Sequence, residues 1–268
     1  MSNDSPRKAI LVVLLTAVIC STLVSAAVVI LRPIQQNNQL LDRSRNIMGL
    51  TGLLPAGEAP GDEEMLALYK SLDTRMVNID EGRFDDTYDV NTFNMRRAVN
   101  DPQSGTDIPS REDTASLGRR SRYAPVYMVW DGAELDRLIL PVRGAGMWSM
   151  LYGYIALEPD YSTVAGMAFY EQNETPGLGD QITHEHWLEQ WRGKKIYSDQ
   201  GEALFSVSDS VVEPGSVSAP YQVDALTGAT VTGNAVTGMI RYWFGPHGYG
   251  ELLKNLKQNP PSPMEDES

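Results

Sequence analysis

The chain has 268 residues, 42% of them hydrophobic, so it can bury a core of one large domain or two small ones. Its formal net charge of −13 leaves no Lys/Arg density for a phosphate backbone, which excludes nucleic acid as a partner and disfavours an acidic soluble part lying on anionic lipid. A single cysteine, Cys20, excludes an intrachain disulfide, a zinc cluster and an iron–sulfur centre held by this chain alone.

Residues 1–8 form a short N-terminal tail, and from Ala9 to Leu31 there is no charged residue. A helix crossing the hydrocarbon core needs about 20 apolar residues, so 9–31 is expected to be a retained transmembrane helix. A cleaved signal peptide is the competing reading. Its apolar region should end at a small-residue site, whereas here the run passes Ser25-Ala26-Ala27 and continues to Leu31. Lipoprotein processing at Cys20 is disfavoured by the bulky Ile19 before it. Arg7 and Lys8 favour a cytoplasmic N-terminus, although Arg32, Arg43 and Arg45 follow the span. Everything after residue 32 is then placed outside, in a bacterium in the periplasm.

Residues 32–60 read as a juxtamembrane helix and linker, the helix stopping at Gly49 and Gly52. A soluble domain over 61–259 follows. Met65, Leu68, Tyr69 and Leu72 have the spacing of a short amphipathic helix, and 101–123 reads as a long surface loop. Tyr123–Trp130, Leu138–Val142, Trp148–Leu157 and Val164–Tyr170 are expected strands, rich in β-branched and aromatic residues. His184, Trp187, Leu188 and Trp191 again share helical spacing. Residues 260–268 are proline-rich and acidic and are expected to be a disordered tail. The fold class is therefore α+β: one N-terminal transmembrane helix, then a domain with a mostly antiparallel sheet and flanking helices.

The segment Asp224-Ala-Leu-Thr227-Gly228-Ala229-Thr230-Val-Thr232-Gly233 leads into a pattern, Val236, Met239, Ile240 and Trp243, that marks a helix starting near Thr232 or Asn234. Small residues let backbone approach a ligand, and a helix N-terminus favours phosphate. On the residues alone, an ordinary capped helix remains the better reading.

Asp224-x-x-Thr227-Gly-Ala-Thr230 resembles the flavinylation signature of the FMN-binding domain family, in which the final threonine bears flavin mononucleotide (FMN). Three further stretches are similar to the family of C-type subunits of sodium-translocating NADH:quinone reductases. They are Gln39 to Ile47; Pro141 to Leu157, with Gly144, Gly146, Met147 and Trp148; and Glu174-Thr175-Pro176-Gly177-Leu178-Gly179. Their order holds from residue 9 to about 250. Met147 departs from the leucine usual in that family, a conservative apolar change.

The resemblance implies a phosphoester between FMN and Thr230, with Asp224 opening the recognition motif. Thr227, Gly228 and Ala229 would hold phosphate and ribityl chain beside Thr232, and Thr175, Gly177, Leu178 and Gly179 would lie near the ring. Trp148 would neighbour the same pocket or be a core tryptophan on a strand. Thr230 is then a modification site and no catalytic residue. The resemblance further implies an electron-relay subunit of the bacterial inner membrane, with no complete activity alone. Electrons would arrive from iron–sulfur-bearing membrane subunits and leave to a second FMN-bearing subunit on the way to quinone, and a flavin transferase would mature the chain.

Two alternatives carry the same motif: the flavin subunit of the ferredoxin:NAD electron-transport complex, typically shorter, and an unflavinylated periplasmic scaffold module. His184-Glu185-His186 is not read as a metal site, since positions i and i+2 diverge on a helix and His184 falls on the apolar stripe. No G-x-G-x-x-G follows a strand, so NADH is expected to bind another subunit.

Overall fold

The computed structural model describes residues 6–54 and 60–264. The acidic end Glu265-Asp266-Glu267 and residues 1–5 lie outside the described residues. Two compact units divide the chain, Met1–Arg45 and Asn46–Ser268. Helix α1, Pro6–Thr51, supplies the described part of the first and the opening residues of the second.

In the first unit, Lys8–Arg32 is long and apolar enough to cross a membrane, with none of its most apolar window buried. Three of its hydroxyls are satisfied within the helix: Thr16 donates to the Val12 carbonyl at 2.8 Å, and Ser21 and Thr22 donate to the Val18 carbonyl at 3.1 and 2.8 Å. Internal pairing of this kind is what a polar group needs in an apolar surround.

In the second unit, α1 runs through Gly49 and ends at Gly52, whose φ of +73° is the left-handed conformation a helix C-terminus favours. The Arg137 guanidinium donates at 2.7 Å to the Leu50 carbonyl, satisfying one of the acceptors that a helix end leaves open. Helix α2, Asp62–Lys70, follows with Met65 buried, and carries three acidic residues in its first turn, where the macrodipole favours them.

A six-stranded sheet in the order β2-β1-β5-β6-β7-β8 forms the centre, every pairing antiparallel. Its long strands are β5 (Tyr123–Asp131), β6 (Glu134–Ala145), β7 (Met150–Leu157) and β8 (Val164–Glu171). The edge pair, β1 (Asp73–Asn78) and β2 (Arg83–Phe84), carries no clean alternation and went unforeseen. After the short helix α3 (Met95–Ala98), the stretch read as a surface loop contains β3 (Gly105–Asp107) and β4 (Arg119–Ser121), paired as a small sheet. It is held down by Arg120, which is buried and donates to the Tyr242 hydroxyl and the His247 carbonyl.

Side chains on one face of the sheet, among them Leu138, Leu140 and Val142, share a core with Val236, Met239 and Ile240 of α5 (Thr230–Trp243). The alternate positions Tyr127 and Ile139 pair on the other face, where the Tyr69 ring of α2 lies 6.0 Å from that of Tyr127. Burial on both faces explains why β5 reads as a continuous apolar run.

Helix α5 and Tyr249, which follows it ahead of the last helix, are seated on β6 by three contacts. A Cβ on Gly144 would come within 2.8 Å of the Met239 Cβ, the Trp243 indole donates to the Arg143 carbonyl at 2.7 Å, and the Tyr249 hydroxyl donates to the Pro141 carbonyl at 2.7 Å. Helix α6, Gly250–Gln258, packs Leu252, Leu253 and Leu256 into the same core. The His184–Trp191 segment forms one turn of helix α4, Glu185–Leu188, and a 3₁₀ turn. Trp187 and Trp191 are buried there, but His184 is exposed as the residue preceding the turn, not on the apolar stripe. Short strands β9 (Ser206–Val207) and β10 (Gln222–Val223) pair in parallel ahead of α5.

Candidate functional site

Helix α5 begins at Thr230, earlier than the N-cap preferences of Thr232 and Asn234 suggest. The chain enters it through a tight turn: the Ala229 amide donates to the Leu226 carbonyl at 3.0 Å, and Gly228 sits at φ +75°. Ala229 is the N-cap residue, and no side chain caps the helix. Thr232 cannot cap it because its side chain is buried and donates at 2.5 Å to Glu174. The first residue, Thr230, is exposed at the positive end of the macrodipole.

Three segments far apart in sequence meet here. From the β6–β7 turn, the Trp148 amide donates at 3.1 Å to Glu174 and its indole donates at 3.0 Å to the Thr175 hydroxyl. Trp148 precedes β7 and is 67% exposed, so it is a turn residue and not a core tryptophan on a strand. In the second segment, Thr175 to Leu178 closes a turn at 3.0 Å with Gly177 at φ +75°, and a 3₁₀ turn Gly179–Thr183 follows. The third is the Thr227–Thr232 entry to α5. Gln181 ties it to the second, donating to the Leu178 carbonyl at 2.7 Å and the Thr227 carbonyl at 3.1 Å. Packing is close enough that a Cβ on Gly228 would lie 2.8 Å from the Leu178 Cδ2, and one on Gly179 would lie 2.7 Å from the Thr232 hydroxyl.

Asp224 stands apart from that junction. Its carboxylate accepts from the Val212 amide at 2.7 Å, its amide donates to Gln190 at 2.9 Å, and its carbonyl accepts from the Trp187 indole at 3.0 Å. It thereby holds the 208–212 segment beside the start of α5. Between them lies a cavity of about 320 Å³ whose lining includes Thr230, Thr227, Gly228, Asn234, Ser208 and Ser210. No lysine or arginine lines it and one carboxylate, Asp209, does, so an anion here is held against that charge by hydroxyls, amides and the helix terminus alone. An uncapped helix start, a glycine turn that admits close approach, and a hydroxyl-lined cavity beside Thr230 fit an ester-linked phosphate. Exposed Trp148 and Leu178 offer apolar surface for a flat ring.

A larger open groove of about 980 Å³ lies at the other end of α5, lined by Arg241, Phe244, Lys254 and Lys257 among others. None of the motif residues lines it, and its size alone assigns it no chemistry. Among the described residues no group of three or more His, Cys, Asp or Glu could hold a metal ion.

The residues that motif reading missed are Glu174 and Gln181, which join the segments, and Ser208, Ser210 and Asn234 of the cavity. Glu174 stands at the head of Glu174-Thr175-Pro176-Gly177-Leu178-Gly179, so a signal for it existed. Nothing in the sequence announces 208–210, which reach the site through the β9–β10 pairing, the Ser208–Val223 and Ala225–Ser210 backbone bonds and the Asp224–Val212 bond.

Comparison with known proteins agrees with this geometry. Residues 146–245 match the FMN-binding domain, a span that contains all three converging segments. The C-type subunit of the Na+-translocating NADH-quinone reductase of Pseudomonas aeruginosa is 39% identical over 258 residues, covering 96% of this chain and 98% of that protein. Its counterpart from Yersinia pestis is 35% identical over 96% of this chain and 95% of its own length. The crystal structure of Shewanella oneidensis NqrC superposes with a TM-score of 0.74 at 32% identity, covering 84% of this chain and all of that one. That of the C-type subunit from Parabacteroides distasonis gives 0.59 at 27% identity, covering 83% of this chain and 96% of that one. With near-complete coverage of such relatives, the chain belongs to the family of C-type subunits of the Na+-translocating NADH-quinone reductase.

Proposed function

We propose that this chain is an electron-relay subunit of a sodium-pumping NADH:quinone reductase, carrying one FMN esterified through its phosphate to Thr230. The observation that carries the reading is the placement of Thr230: an exposed hydroxyl-bearing residue at the first position of an uncapped 14-residue helix. FMN supplies reversible electron uptake when bound; the chain supplies its position. The Thr230 side chain fixes the phosphate, amides of the first turn of α5 face its single remaining charge, and Thr227 and Gly228 keep the approach open. Trp148 and Leu178 offer flat apolar contact to the ring and exclude water from one side of it, with Thr175, Gly177 and Gly179 shaping the turn beneath.

The same reading places residues 9–31 in the bacterial inner membrane with residues 1–8 cytoplasmic, and the domain after it in the periplasm. The apolar, unburied helix with a basic residue at its start supports this placement. In that location a covalent bond keeps the cofactor from being diluted away. The partners that follow are iron–sulfur-bearing membrane subunits as electron donors, a second FMN-bearing subunit as acceptor, and a flavin transferase for maturation. NADH binds another subunit.

The test is intact mass with tryptic mapping of the chain made alongside its flavin transferase, compared with Thr230→Ala. One added FMN phosphoryl ester on the Thr230 peptide, absent from the variant, is the expected result. An unmodified chain beside a transferase active on a control overturns the assignment and leaves the scaffold reading.

A further inference from the structure

Glu174 is 5% exposed, yet both groups that donate to it are neutral: the Trp148 amide at 3.1 Å on Oε1 and the Thr232 hydroxyl at 2.5 Å on Oε2. Two glycines are fitted around its side chain. A Cβ on Gly146 would lie 2.5 Å from Oε1, and one on Gly179 would lie 2.8 Å from the Glu174 Cβ. Burying a carboxylate without a cationic donor is costly, so a purely structural bridge has little reason to use one. A carboxylate accepts on both oxygens at once; glutamine can keep both contacts by accepting from the Trp148 amide and donating to the Thr232 hydroxyl, so what that substitution removes is the charge.

The two donors belong to the two sides of the candidate flavin site. One is the backbone of Trp148, whose indole is the largest exposed apolar surface there; the other is the first turn of α5, two residues past Thr230. We propose that Glu174 is the positioning residue of this site, setting the Trp148 indole at a fixed place relative to the attachment threonine. This inference rests on the reading of Thr230 as the point of attachment. Glu174 does not line the cavity beside Thr230; it acts through Trp148 and Thr232. Its negative charge, which neither of its two neutral donors offsets, also opposes electron uptake beside it and so biases the bound flavin toward a lower potential.

The experiment uses the full chain, with and without coexpressed transferase, in four forms: wild type, Glu174→Gln, Glu174→Ala and Thr232→Val. In the flavin-free chain, the emission of Trp148 is isolated by subtracting the spectrum of a Trp148→Phe partner. It is expected to shift to the red in Glu174→Ala, which frees the Trp148 backbone, and to stay at the wild-type position in Thr232→Val, which cuts only the other leg. In the flavinylated chain, attachment to Thr230 is expected to slow about tenfold in Glu174→Ala, as misplacement of a reacting group does, and to recover in Glu174→Gln. The midpoint potential is expected to rise in Glu174→Gln, where charge is lost and shape kept; a merely structural role would leave it unmoved.

Wild-type Trp148 emission in Glu174→Ala together with an unchanged potential in Glu174→Gln overturns the proposal. Should Glu174→Ala fail to fold, slowed attachment in Thr232→Val and the raised potential in Glu174→Gln support it, and wild-type values for both overturn it. A wild-type chain that never gains flavin refutes the attachment reading instead, and the flavin-free emission still decides the role of Glu174.

Discussion

Replacing Gly228 by alanine tests whether the turn before α5 has the shape on which the site depends. Two costs are expected. An L-residue held at φ +75° loses about 1–2 kcal/mol relative to glycine. The new Cβ would also stand 2.8 Å from the Leu178 Cδ2, closer than apolar atoms tolerate. Leu178 is 41% exposed and at the tip of a turn, so it can swing aside, and this second cost falls on the apolar surface offered to the ring more than on stability. For a unit of this size, about 1–2 kcal/mol corresponds to a fall in Tm of roughly 2–8 °C. Gly177→Ala is the control. It has the same φ of +75° but nothing within 4 Å of a built Cβ, so it bears the first cost without the second. Thermal melts of the three proteins, followed by circular dichroism, should show similar falls for both variants. Flavin attachment, followed by intact mass, should slow more for Gly228→Ala. An unchanged Tm for Gly228→Ala refutes the left-handed turn; equal attachment in the two variants refutes the contact with Leu178.

Three other expectations follow from the seating of α5 and from one surface loop. Gly144→Ala forces a methyl against Met239, at 2.8 Å from its Cβ and 3.0 Å from its Cγ; overpacking should destabilise by about 1–3 kcal/mol in urea titration and slow attachment at Thr230 by tilting the helix. Trp243→Phe removes the indole donor from the buried Arg143 carbonyl and should cost about 1–3 kcal/mol by the same titration, while a wild-type midpoint would show that water replaces the bond. Burial pushes the Asp160 carboxyl up, but the Thr163 hydroxyl and the Thr163 and Ser162 amides together hold it below its ordinary 3.8. A depressed folded value means stability that is present above about pH 4 and lost as pH falls through that lower value. Melts from pH 5 to pH 2.5 should therefore lose more in the wild type than in Asp160→Asn, and parallel losses would contradict the loop geometry.

Sequence alone determined the elements whose signal is local. A charge-free apolar run of this length is legible as one long apolar helix, because nothing in it breaks the helix or calls for a polar surround. β5 through β8 were legible because burial on both faces leaves unbroken apolar and β-branched runs between turn residues. The three motif segments were legible through their resemblance to a known family; left-handed backbone at Gly177 and Gly228 and close approach at Gly179 and Gly228 are what restrict those positions to glycine. Tertiary structure decided what depends on contacts between distant segments. Thr232 has the side chain of an N-cap, yet the helix starts at Thr230 because the Thr232 hydroxyl is engaged by Glu174, 58 positions away. β1 exists because β5 offers it an edge, and β2 because β1 does, not because their own residues alternate. Trp148 reads as a strand residue by composition, but its amide bond to Glu174 holds it in the turn before β7 with its indole in solvent. The role of Glu174 itself was invisible for the same reason: a carboxylate in a loop looks solvated until two donors and two glycines, drawn from three segments, close around it.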